Sequence, residues 1–94
     1  MHKLMITKRE VVSRLRSLRE EAREDGYGPG MVRLSVWRAD DCFGVADYWD
    51  VTWEGPHCGE SDAEAHAVVD GKTTVRELEQ MAGEMLRKAE KMLA

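Results

Sequence analysis

The feature that most limits what this chain can fold into is a hydrophobic period that changes twice. It runs at helical spacing, then at strand spacing, then at helical spacing again. Val11, Leu15, Leu18 and Ala22 recur at steps of four, three and four, which places them on one face of a helix. From Met31 to Arg38 the pattern alternates, with Val32, Leu34 and Val36 on one side and Arg33, Ser35 and Trp37 on the other. From Leu78 onward the longer step returns through Ala82, Met85, Ala89 and Met92, flanked by Val75, Met81, Leu86 and Leu93.

Both helical stretches begin with the same four-residue logic. In Thr7-Lys8-Arg9-Glu10 and Thr74-Val75-Arg76-Glu77 a threonine hydroxyl accepts from an unpaired amide of the first turn. The glutamate three residues on accepts from the threonine amide in return. Asp25-Gly26-Tyr27-Gly28-Pro29-Gly30 ends the first helix, because glycine takes the left-handed cap and proline cannot continue.

Between the helices three strands are expected. The first is 31–38, and Ala39-Asp40-Asp41-Cys42 turns the chain. The second is 43–54, with Val45, Trp49, Val51 and Trp53 inward and Tyr48, Asp50, Thr52 and Glu54 outward. Gly55-Pro56-His57-Cys58-Gly59 is a loop. The third strand is 63–69, with Ala63, Ala65 and Ala67 inward, although its small residues also permit a short helical turn. The expected fold is one α+β domain over residues 1–94, in the order α-β-β-β-α. Helices at about 8–25 and 75–93 pack on one face of a three-stranded antiparallel sheet.

Charge is distributed unevenly. Residues 39–70 contain nine Asp or Glu and no Lys or Arg, within a chain whose net charge is only −4. Such segregation bears on partners rather than on fold. The outward sheet face then carries Arg33, Trp37, Tyr48, Asp50, Thr52, Glu54, Glu64 and His66. The plain reading is a solvated face. The functional reading is a docking surface with Trp37 and Tyr48 as anchors, ringed by Asp40, Asp41, Asp47, Asp50, Glu54, Glu60, Asp62 and Glu64, which suits a basic protein site. A second reading uses Arg9, Arg16, Arg19 and Arg23, a row along one side of the first helix able to meet the phosphates of a nucleic acid. The plainer account of that row is a solvated face, with Arg16 paired to Glu20.

Other chemistries fit poorly. Cys42, His57, Cys58 and His66 are metal-capable types, but only the adjacent pair His57 and Cys58 is close in sequence, and adjacent ligands rarely converge on one ion. Cys58 and His57 as neighbours do not form a nucleophile–base pair. Gly26, Gly28 and Gly30 follow a helix, whereas phosphate cradles precede one. No enzyme activity, metal or cofactor is expected. No apolar run reaches the roughly 18 residues of a membrane span. The short apolar start, Met1 to Ile6, and only two cysteines lead to a cytoplasmic expectation. A monomer is the default, with a two-fold dimer through Leu86 and Leu93, or through Met81, as the alternative.

Two resemblances add to this reading. The α-β-β-β-α order is similar to that of the double-stranded-RNA-binding domain, although the second helix here opens Lys72-Thr73-Thr74-Val75-Arg76 without a lysine cluster, and the loop that would meet phosphate holds Asp40 and Asp41. In size, acidity and architecture the chain resembles the small phage-encoded inhibitors, anti-CRISPR proteins among them. That resemblance implies a non-enzymatic protein whose carboxylates stand where phosphates would sit, blocking a nucleic-acid-binding complex of the host.

Overall fold

The computed structural model describes residues 4–26, 28–38, 47–55 and 60–94. Its order is α1 (Lys8–Asp25), β1 (Gly30–Trp37), β2 (Tyr48–Trp53), β3 (Ala63–Val69) and α2 (Val75–Leu93), the α+β arrangement that the periodicity requires. The expected strand at 43–54 is present as Tyr48–Trp53, and its first four positions lie outside the described residues. The third stretch is a strand and not a helical turn.

Both helix starts form the reciprocal cap. Thr7 Oγ1 accepts from the Glu10 amide at 3.2 Å, and Glu10 Oε1 accepts from the Thr7 amide at 3.3 Å. Thr74 and Glu77 repeat the pair at 3.1 and 2.9 Å. Gly26 closes α1 at φ 68°, a left-handed conformation that costs glycine little, and its amide donates to the Ala22 carbonyl.

The sheet order is β2-β1-β3, with both neighbours antiparallel to β1. β2 and β3 are therefore parallel to each other, and the chain after Trp53 must travel back along the sheet to begin β3. Val32, Leu34 and Val36 of the central strand face the helices with Val51, Ala63, Ala65 and Val69, all buried. Val11, Leu15, Leu18 and Ala22 of α1 close over them, joined by Leu78, Ala82, Met85, Ala89 and Leu93 of α2 and by Leu4 and Ile6. The inner alanines of β3 let α2 come close. The apolar stripe of α2 ends on Leu93 rather than Met92, which is 56% exposed. Leu93, four residues beyond Ala89, reaches the core, and Met92 in the final turn lies at the solvent edge of the stripe. Leu86 and Met81 are half-buried against the same core, so the Leu86–Leu93 seam considered for a dimer is largely interior.

The helices run antiparallel. Near one end the Lys8 side chain lies over Gly83, its Cε 3.8 Å from where a β-carbon would sit. Near the other, Arg19 Nη1 donates to the Thr73 carbonyl at 3.1 Å, and Arg23 Nη2 to the Gly71 carbonyl at 3.0 Å. On the opposite flank of α1, Arg14 Nε donates to the Val51 carbonyl of β2 at 2.9 Å, tying the helix to that strand. No helix among the described residues is long and apolar enough to cross a membrane.

Candidate functional site

The register fixes which side chains share the sheet face turned away from the helices. Trp37 lies opposite Tyr48. Ser35 stands between Asp50 on β2 and Glu64 on β3, and Arg33 stands between Thr52 and His66. Because partners across an antiparallel ladder point the same way, these rows form one continuous surface. Met31 and Val68 pair at its far end, both exposed.

The aromatic corner is organised by two independent contacts. The Trp37 and Tyr48 rings lie 5.1 Å apart at 46°, a tilted pair within the usual range for aromatic contacts. Trp37 Nε1 donates to the Glu60 carbonyl at 2.9 Å, which fixes the indole and brings the segment before β3 onto this face. Tyr48 remains 64% exposed, a large aromatic held at a surface by a ring already anchored. Beside it Asp62 Oδ2 accepts from the Arg38 amide at 2.6 Å, and Arg38 Nη2 donates to the Leu93 carbonyl at the end of α2. Ser61 Oγ donates to Glu64 Oε1 at 2.9 Å.

The middle of the face is less open than a solvated sheet. Ser35 is buried at 5% exposure between its two acidic neighbours, and Trp37, Asp50, Thr52 and Glu64 are half-buried. His66 Nε2 lies 3.7 Å from Glu54 and 3.8 Å from Glu64, so a protonated imidazole there meets two carboxylates. Arg33 is half-buried in the centre, and its Nε is buried with no hydrogen-bond partner among the described residues. Asp50, Glu54 and Glu64 share this part of the face with that guanidinium and with His66.

Of the ten residues expected at the docking surface, Trp37, Tyr48, Asp50 and Glu64 share the sheet face and Glu54 flanks it. Glu60 and Asp62 join through the contacts of Trp37 and Arg38. Asp47 is half-buried just before β2, and Asp40 and Asp41 lie outside the described residues. Arg33 and His66 now belong with them: the register sets the two opposite each other, and His66 lies near Glu54 and Glu64.

The arginine row divides. Arg19 is buried at 8% exposure, its Nε and Nη2 held by Glu20 at 3.2 and 2.9 Å and its Nη1 by the Thr73 carbonyl. Arg23 donates to Gly71 and to Glu20. Glu20 thus pairs with Arg19 and Arg23 instead of the expected Arg16. Two of the four guanidinium groups hold the turn between β3 and α2 against α1, and Arg9 and Arg16 remain exposed. Cys42, His57 and Cys58 lie outside the described residues. Among the residues that are described, no group of three or more metal-ligating side chains converges. No protein-family model, curated protein sequence or solved structure matches this chain.

Proposed function

We propose that the protein works by binding, offering the acidic face around Trp37 and Tyr48 to a basic surface on another protein. The observation that carries this reading is the anchored aromatic pair. Trp37 is pinned through its indole N–H, and Tyr48 packs against it on a face that also carries Asp50 and Glu64. A rigid aromatic loses little entropy on binding, and surrounding carboxylates steer a cationic partner. The natural class of partner is a protein surface that otherwise holds nucleic acid, since both present Lys and Arg. An inhibitor of the phage-encoded, anti-CRISPR-like type is the specific form of this proposal.

The test is affinity capture from a host lysate treated with nuclease, followed by association kinetics with the partner recovered. Asp50→Lys with Glu54→Lys should slow association about tenfold, flatten its salt dependence and leave the far-UV spectrum unchanged. Equal rates for the double variant and the parent would refute the acidic-face reading. Loss of capture on nuclease treatment would indicate a nucleic-acid tether instead.

A further inference from the structure

The helical side of the molecule carries a groove of opposite character. It runs along the outer junction of α1 with the first turns of α2, lined by Lys8, Arg9, Val12, Arg16, Val75 and Glu79. Val12 is half-buried and Val75 is 38% exposed, so the floor is aliphatic. None of the ion pairs among the described residues uses Lys8, Arg9 or Arg16. Neighbouring Arg19 and Arg23 are by contrast fully engaged with Glu20 and with backbone carbonyls. The absence of a side chain at Gly83 lets Lys8 lie across α2 at one end of the groove. On a protein that is acidic overall, Lys8, Arg9, Arg16 and Arg19 outweigh Glu20 and Glu79 along this groove and leave it net positive beside an apolar floor.

We propose that this groove receives an acidic amphipathic helix of a partner protein. Arg9 and Arg16 are seven residues apart on one helix, two turns, or about 10.5 Å along its axis. A partner helix lying alongside repeats that distance with carboxylates at i and i+7, and its intervening i+3 or i+4 position faces the same way. An aliphatic residue there rests on Val12 and Val75. Glu79 on the opposite wall selects against a ligand that is negative along its whole length, and accepts a helix whose other edge carries Lys or Arg. The groove thus fits a peptide of patterned charge better than a continuous phosphate backbone. It lies on the helix layer, away from the sheet face, and stands or falls independently of it.

The experiment uses a fluorescein-labelled helical peptide of about 16 residues, long enough to hold helix in an alanine-rich background. It carries glutamates seven apart, leucine between them and lysine on the far edge. Fluorescence anisotropy with the full chain should give saturable binding that weakens as salt rises. Replacing both peptide glutamates by glutamine, or making Arg9→Glu with Arg16→Glu in the protein, should weaken binding tenfold or more. Val75→Ala should weaken it about threefold, and it tests the groove without touching a charge. The variants are at exposed positions, and unchanged thermal melts would confirm that they fold. The proposal is overturned if the glutamate and glutamine peptides bind alike. It is equally overturned if the double arginine variant binds as the parent does, or if labelled single-stranded DNA binds more tightly than the peptide through the same two arginines.

Discussion

Arg19 and Arg16 are three positions apart on α1, and the structure gives them opposite roles that a stability measurement separates. Arg19→Ala removes a charged donor from the buried Thr73 carbonyl and leaves that carbonyl unpaired. A hydrogen bond from a charged group contributes about 1.5–3 kcal/mol net, so the loss should fall in that range. The aliphatic stem, buried with the rest of the side chain, adds to it. A domain of this length has only about 5–14 kcal/mol in total. Taking a loss of about 2 kcal/mol and a urea slope of about 1–1.5 kcal/mol/M for a small protein, the midpoint should drop by about 1.3–2 M. Tryptophan fluorescence reports it directly, because Trp49 and Trp53 pack against the core. Arg16→Ala, at an exposed site with no ion pair among the described residues, should stay within about 0.5 kcal/mol of the parent. Arg19→Met keeps most of the stem, and should recover only the packing part of the loss. If Arg19→Ala and Arg16→Ala unfold at the same urea concentration, Arg19 does not hold the β3–α2 turn. The division of the arginine row would then be wrong.

Two further outcomes follow from local geometry. A β-carbon at Gly30 would sit 2.7 Å from Trp53 Cζ3, so Gly30→Ala should displace the ring, shift its fluorescence and destabilise by about 1–3 kcal/mol; an unshifted spectrum with parental stability would show that the contact yields freely. The amide of Thr74, followed by its hydroxyl, holds the Glu77 carboxyl below its ordinary value of 4.5. A carboxylate with a depressed folded value contributes stability above pH 4.5 that is lost as pH falls through the folded value. The stability difference between the parent and Glu77→Gln should therefore be present at neutral pH and fade below pH 4.5, measured by thermal melts across that range; a constant difference would refute the cap as its source.

The helix boundaries were legible because their determinants are local. Threonine and glutamate three residues apart supply both halves of each cap, so Lys8 and Val75 open the helices where the sequence places them. Ala63, Ala65 and Ala67 likewise fixed the phase of β3 despite their weak strand preference. The order β2-β1-β3 was not legible, since nothing near residues 63–69 states which edge of β1 is still vacant. Arg19 falls in a row of arginines along one side of α1, which reads from the sequence as an exposed flank. Its spacing of four from Leu15 marked it as bordering the apolar stripe, and the carbonyl it needed came from Thr73, 54 residues away. The block of acids does not contain the sheet pairing that sets Arg33 opposite His66 on the face with Asp50 and Glu64, which is long-range information.

The central position of β1 also has a kinetic consequence. Its pairs with β2 join residues from 11 positions apart, at Trp37 and Tyr48, to 21 apart, at Val32 and Trp53. Its pairs with β3 join residues from 27 apart, at Val36 and Ala63, to 39 apart, at Gly30 and Val69. Closing the longer loops costs more chain entropy, so the β1–β2 hairpin can form and lean on α1 while β3 is still seeking its edge. The step that then completes the sheet also delivers α2, because the turn held by Arg19 and Arg23 links the two. β3 and α2 would arrive as one late unit. Substitutions in that unit would act mainly on how fast the protein comes apart, and those in the hairpin on how fast it assembles.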